Sequence, residues 1–197
     1  MRQVDYAVSA VVLPVMADDP QADYTETKLS GKLVYDGRLL KVHEDSVRTP
    51  DGKTARREWV GHPGAVIIIA LLDETTVIME RQFRYALRRH FYELPAGKIE
   101  PGEQPLATAR RELLEECGYT ATEWRHLATL HPCVGYSDER FELYLARGLN
   151  HVGRRLDDGE FLEVVPMAVD EMLRRIKDGG ITDVKAVAGV AWLKCLL

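Results

Sequence analysis

Residues 97–119 read GKIEPGEQPLATARRELLEECGY. Within them Leu106, Ala109, Leu113 and Cys117 recur at helical spacing and mark one apolar stripe. Pro105 suits the first helical turn, and Gly118 suits the position just past the last one. Glu112, Glu115 and Glu116 stand at i, i+3 and i+4. At ~100° per residue they project within about a 100° arc. That arc lies near the helix C-terminus, where the macrodipole already disfavours anions. Arg110 and Arg111 are close in sequence but fall off the acidic arc. A hard divalent cation would relieve the repulsion, because Mg²⁺ takes oxygen ligands. Taken alone, three acids on a helix more often form a solvated charged face, so the surrounding order has to decide.

The bulk properties narrow the classes. A chain of 197 residues with 46% hydrophobic residues is the length of one domain, or one domain with an extension, and can fill a core. A net charge of −5 argues against a general nucleic-acid or membrane-surface binder. A polyanionic substrate would need local cations, and arginines do cluster at Arg56–Arg57 and at Arg81, Arg84, Arg88 and Arg89. Cys117, Cys133 and Cys195 form no CxxC pair, which fits reduced thiols in a cytosol and no cysteine zinc site. Six scattered histidines contain no HxxxH pair. Neither GxSxG nor a GxxxxGK[ST] loop occurs. The first residues carry an apolar run, but Asp5, Pro14 and a single basic Arg2 argue against a cleaved signal. No run reaches the ~18 apolar residues of a membrane span.

Along the chain, residues 1–20 read as an irregular or strand-like arm. Residues 28–60 alternate in the β manner, punctuated at Gly31, Asp36-Gly37 and Pro50-Asp51-Gly52, and predict a small antiparallel meander. Its uncovered edges call for a partner, of which a second chain is one solution. AVIIIALLDE, from Ala65, reads as a strand buried on both faces, with TTVIMERQFRYA as its neighbour and RRHFYELPAG as a third short run. After the acidic helix come two strands around a loop from His131 to Glu139, then a strand in GEFLEVVPMAV. A helix begins at Asp170 and stops at Gly179-Gly180, and a final amphipathic helix follows. The order predicts an α+β sandwich, with an N-terminal part over 1–60 and a main domain over 61–197.

The full pattern of Gly97, Glu103, Arg111-Glu112-Leu113, Glu115-Glu116 and Gly118 resembles the signature of the Nudix hydrolases. Tyr119 stands where that signature usually has an aliphatic residue. The resemblance implies a loop-helix-loop that binds Mg²⁺ or Mn²⁺ and cleaves a diphosphate joined to another group. It implies a Nudix fold, an α/β/α sandwich around a mixed sheet. Glu112, Glu115 and Glu116 would be metal ligands, together with the carbonyl of Ala96, and Glu100 and Glu103 could extend that shell. Arg111 would anchor the loop by bonding its acids.

A narrower resemblance, to the ADP-ribose pyrophosphatase branch, rests on RQFRYALRRHFYELPAGKIEPGE at 81–103, VGHPGAV at 60–66 and PCVGYSDE at 132–139. In that branch a proline loop carries an acid near the attacking water. Pro132 and Glu139 match it, although Cys133 replaces the usual glycine. Glu139 is then the expected general base, with Glu115 as the alternative. Gln82 and Arg84 match an element that contacts the diphosphate or the nucleoside. Arg57 and Glu58 match a pair that reaches the adenine and ribose end across a dimer. Tyr35, Tyr85 and Tyr136 are candidates for base stacking, with core packing the commoner role for each. The expected enzyme is a cytoplasmic, homodimeric, Mg²⁺-dependent hydrolase of ADP-ribose. A GDP-sugar or other nucleotide substrate is the close alternative, and a non-catalytic nucleotide-sugar sensor the remote one.

Overall fold

A computed structural model describes residues 23–156, 159 and 161–196. The arm expected over 1–20 lies outside these residues, as does any reading of a leader. The described chain begins with β1 (Thr27–Asp36), β2 (Lys41–Arg48) and β3 (Thr54–Gly61), in the sheet order β1-β2-β3. The turns fall where the Gly signals place them. Gly37 N–H donates to Leu40 O, and Gly52 N–H to Thr49 O with φ +82°, a left-handed value that suits glycine. Gly31, expected as a break, instead lies inside β1.

The described backbone divides into two compact units, one of residues 23–31 with Asp45–Arg57, the other of Lys32–Glu44 with the described residues from Glu58 onward. In the first, Lys28 pairs with the buried Asp45 at 2.9 Å. A Cβ on Gly31 would overlap that carboxylate, which is why a glycine can occupy the strand there.

The second unit is organised around β4 (Ala65–Ala70). Val66, Ile67, Ile68, Ile69 and Ala70 are fully buried. Alternation sends Ile67 and Ile69 to one face and Val66, Ile68 and Ala70 to the other, so both faces need cover. Ile67 and Ile69 join a core with Met79, Leu143, Met172, Val190 and Leu193, closed by α2 (Val169–Lys177) and α3 (Val184–Leu196). Val66, Ile68 and Ala70 pack with Ile78, Ala109, Leu113 and Cys117 under α1 (Pro105–Cys117). Helices therefore lie on both sides of the sheet, an α+β sandwich.

The sheet is mixed, in the order β7-β4-β9-β8, with β7 (Ala96–Lys98), β8 (Tyr119–Leu130) and β9 (Phe141–His151). β4 runs parallel to β9 and antiparallel to β7, while β8 and β9 are antiparallel. The strand expected beside β4, β5 (Thr76–Arg84), belongs instead to a second sheet, β10-β5-β6, with β6 (Arg89–Glu93) and β10 (Leu162–Ala168). β4 and β5 start as a hairpin, with a single bridge at Leu71–Val77, and then part. Sequence adjacency favours hairpin pairing, but β7 and β9 take both edges of β4. The helix expected to begin at Asp170 begins at Val169, with Ala168 at its N-cap and no side-chain cap.

Leu113 is the fully buried centre of the contact between α1 and β4. Leu113→Ala should cost about 2–5 kcal/mol of unfolding free energy, measured by urea denaturation.

Candidate active site

The helix expected between Pro105 and Gly118 forms as read. Pro105 is its first residue, and Gly118 ends it at φ +76° with its N–H directed to Leu113 O and Leu114 O. A side chain at Gly118 would also press on the backbone of Gly153 and Arg154, so two constraints select glycine there. The apolar stripe faces the core, leaving Glu112, Glu115 and Glu116 toward β7 and the loop that follows it. Glu116 is buried and accepts the N–H of Ala96 at 3.2 Å. A Cβ on Gly97 would overlap the Glu112 carboxylate. Glycine at 97 thus lets strand β7 lie directly against the acids. Ala96, Glu112 and Glu116 are brought together here, although Ala96 engages Glu116 through its N–H.

Arg111 falls off the acidic arc by its Cβ direction, yet its guanidinium bonds the acids, the contact that the family resemblance implies for it. Its Nη1 lies 2.8 Å from Glu112 Oε1 and 2.9 Å from Glu115 Oε2. Its Nε and Nη2 donate to the two oxygens of Glu103, at 3.1 Å each. A long side chain can swing its guanidinium across the helix surface, which Cβ directions alone do not reveal. The Arg111 bonds hold Glu103 well below the usual carboxylate range, at about 2. Glu103 was expected to be available to a metal shell, and here it serves Arg111. Among the described residues, no three His, Cys, Asp or Glu side chains converge closely enough to hold an ion. A single nitrogen of Arg111 bridges Glu112 and Glu115.

Behind the helix lies an acid to which the sequence reading assigned no role. Glu80, on β5, is buried and accepts the Cys117 thiol at 3.1 Å. Burial pushes its carboxyl up to about 7, against the opposing bonds from Cys117 and Glu116. Burial, with the Glu80 and Glu116 charges, also pushes the Cys117 thiol up, so it remains protonated at neutral pH. Glu80 faces Glu93 in the β5–β6 register, an unfavourable like-charge pairing unless cations intervene. Arg84 intervenes, donating to Glu93 from Nε at 2.6 Å and from Nη2 at 2.7 Å. Burial works to raise the Glu93 carboxyl, but Arg84 and Lys185 outweigh it and hold it below its ordinary value. The available signal was an acid within the apolar run VIME, where a solvent-facing strand pattern would not place one.

The other expected residues are more dispersed. Gln82 is half-buried on the same face of β5 as Arg84. Pro132 is half-buried at the start of the loop before β9. Glycine and serine would loosen that loop, but Ser137 Oγ donates to Val60 O at 3.0 Å and Asp138 Oδ1 accepts the His62 N–H at 2.8 Å. Glu139 Oε1 lies 3.5 Å from His62 Nδ1. No described bond joins Glu139 to the carboxylates of α1. Arg57 is held by Glu26, Nε to Oε2 at 2.8 Å, and Glu58 beside it on β3 is exposed. Tyr35, Tyr85 and Tyr136 are all largely exposed, which overturns core packing for the three.

Comparison with known proteins places this site in a class. The NUDIX domain model matches residues 61–187, and the nucleoside diphosphate sugar hydrolase N-terminal domain model matches residues 26–60. The chain belongs to the Nudix family. It is 39% identical over 175 residues to a methanol dehydrogenase activator of Bacillus methanolicus, covering 87% of this chain and 94% of that one. It is 36% identical over 171 residues to an ADP-ribose pyrophosphatase of Bacillus subtilis (strain 168), covering 86% and 92%. A solved ADP compounds hydrolase shares the fold with a TM-score of 0.78, covering 89% of this chain and 98% of that one at 23% identity. No helix among the described residues is long and apolar enough to cross a membrane.

The raised Glu80 carboxyl makes a signed prediction. Between the ordinary value of 4.5 and about 7, the folded protein holds a proton that the unfolded chain has released. Its stabilising contribution is therefore complete at low pH and is lost as pH rises through that window. Without added metal, Glu80→Gln should raise Tm over wild type, and by more at pH 8 than at pH 5.

Proposed function

We propose that this chain hydrolyses the diphosphate of ADP-ribose, with water, to AMP and ribose 5-phosphate in a Mg²⁺-dependent reaction, Mn²⁺ serving as an alternative. The observation that carries the reading is the packing of β7 against the acids of α1, with Gly97 making room for Glu112 and Glu116 bonded to Ala96. The donor set is all oxygen and suits a hard divalent cation. Mg²⁺ is commonly bound through one or two carboxylates plus substrate phosphates, so a closed protein cage is not required. Glu112, Glu115, Glu116 and the Ala96 carbonyl would hold the ion, which when bound neutralises phosphate charge and acidifies water. Arg111 bridges Glu112 and Glu115 and bonds Glu103, which holds these acids together beside β7.

Within that reading Glu139 takes the proton of the attacking water, with Glu115 as the alternative base. Arg84 and Gln82 bind the diphosphate side, Pro132 shapes the loop beside it, and Arg57 with Glu58 binds the adenosine end. Residues 61–197 form the catalytic domain, and residues 1–60 carry dimerisation. Support for a homodimer is β1, all of whose residues are exposed, including Leu29, Leu33, Val34 and Tyr35. A cytoplasmic location fits the three free cysteines. The Bacillus subtilis relative supports ADP-ribose as the substrate, while the Bacillus methanolicus relative bears a different name.

Incubation with Mg²⁺ and ADP-ribose, GDP-mannose, NADH or dGTP, followed by product identification, tests the substrate. ADP-ribose should be turned over fastest, and preference for GDP-mannose would move the assignment to a GDP-sugar. Glu112→Gln and Glu116→Gln should each lower kcat by at least ~10³-fold, since several kcal/mol of charge stabilisation leaves with the ion. Near-normal turnover in both would refute the metal site. Glu139→Gln should lower kcat by ~10²–10⁴-fold with little change in KM or Mg²⁺ activation. If it retains half of wild-type kcat while Glu115→Gln is inactive, the base is Glu115.

A further inference from the structure

A chain of ion pairs runs from the last helix to the arginine assigned to the diphosphate. Asp183 Oδ2 accepts the N–H of Ala186 in the first turn of α3, at 3.1 Å. Lys185 Nζ lies 2.8 Å from Asp183 Oδ1 and 2.7 Å from Glu93 Oε2. Glu93 in turn takes Arg84 on both oxygens, at 2.6 and 2.7 Å. Exposure changes sharply along this series. The Glu93 and Lys185 side chains are 4% and 14% exposed, whereas that of Arg84 is 46% exposed.

One buried carboxylate thus carries two cations. Arg84 spends its Nε and Nη2 edge on Glu93, and among the described residues no bond to the protein uses Nη1. The guanidinium is consequently fixed from behind with an exposed edge left over, the geometry a planar fork needs to meet phosphate oxygens. The second cation decides where the carboxylate stands. Arg84 alone could carry Glu93 with it toward solvent, because both partners would move together and stay paired. Lys185, carried on the first turn of α3 and held by Asp183 just before that helix, opposes that movement.

We propose that Lys185 is a positioning residue for substrate binding, pinning Glu93 so that Arg84 presents its outer edge to a substrate diphosphate. The proposal rests on the reading of Arg84 as a diphosphate ligand. Lys185 touches no substrate itself and acts through Glu93.

Steady-state kinetics with ADP-ribose on Lys185→Met, Arg84→Gln and the double variant test this. Lys185→Met should raise KM by ~10-fold with kcat within about threefold of wild type and Mg²⁺ activation unchanged. Arg84→Gln should raise KM at least as much, and adding Lys185→Met to it should raise KM no further, because the lysine works only through the arginine. Wild-type KM in Lys185→Met, with KM raised in Arg84→Gln, overturns the positioning role and leaves the Arg84 reading standing. Additive effects in the double variant overturn it equally, as does a lowered Tm with unchanged KM. Unchanged KM in Arg84→Gln overturns both the Arg84 reading and the proposal. Should Lys185→Met fail to fold, Lys185→Gln keeps a donor without charge and carries the same expectations.

Discussion

The crowding of carboxylates around one short helix is the constraint on which the rest of this molecule depends. Glu112, Glu115 and Glu116 share the end of α1 with Glu103 in the preceding loop, and Glu80 and Glu93 lie behind them on β5 and β6. Anions in such a setting are tolerated only where a cation or a proton answers each of them. Three answers are visible. Arg111 serves Glu103, Glu112 and Glu115. Arg84 and Lys185 serve Glu93. Glu80, packed in the interior, tends to keep its proton and lies in hydrogen-bond contact with both Glu116 and Cys117.

Packing explains why the acids cannot move away from one another. α1 is fastened to β4 by Ala109 and Leu113, which are fully buried, and its end is fixed by the left-handed Gly118. β4 is itself trapped, since both of its faces are core and both of its edges are paired. β7 pairs with β4 and carries Ala96 and Gly97 to the acids. The electrostatic strain of the site is therefore supported by apolar burial around it. This division suits a site whose charges must be held ready for a highly charged ligand.

Much of this was legible in the chain. The helix limits, the buried strand at Ala65–Ala70 and the meander turns all follow from local rules. A proline or glycine restricts backbone choice wherever it sits, and periodicity reports which face is apolar. The three acids of the helix could be placed on one arc because i, i+3 and i+4 spacing leaves no other arrangement. The pairing of β5 could not be read in this way. It depends on which distant strands, β7 and β9, claim the edges of β4, and hydrogen bonds between strands leave no local signature in sequence.

By itself, then, the sequence determined where α1 begins and ends, which of its residues are core, and that its acids share a face. Those properties are set by backbone geometry within a few residues. Only the tertiary structure decided what each charge meets. Arg111, off the arc by its Cβ direction, bonds the acids because its side chain is long. Arg84 is backed by Glu93 because β5 and β6 are neighbours, and Lys185 joins them from a helix remote in sequence. Glu80 lies against Glu116 and Cys117 because the second sheet folds under α1. Charge pairing acts through space over a few ångströms, and the chain separations involved carry no periodic pattern from which it could have been read.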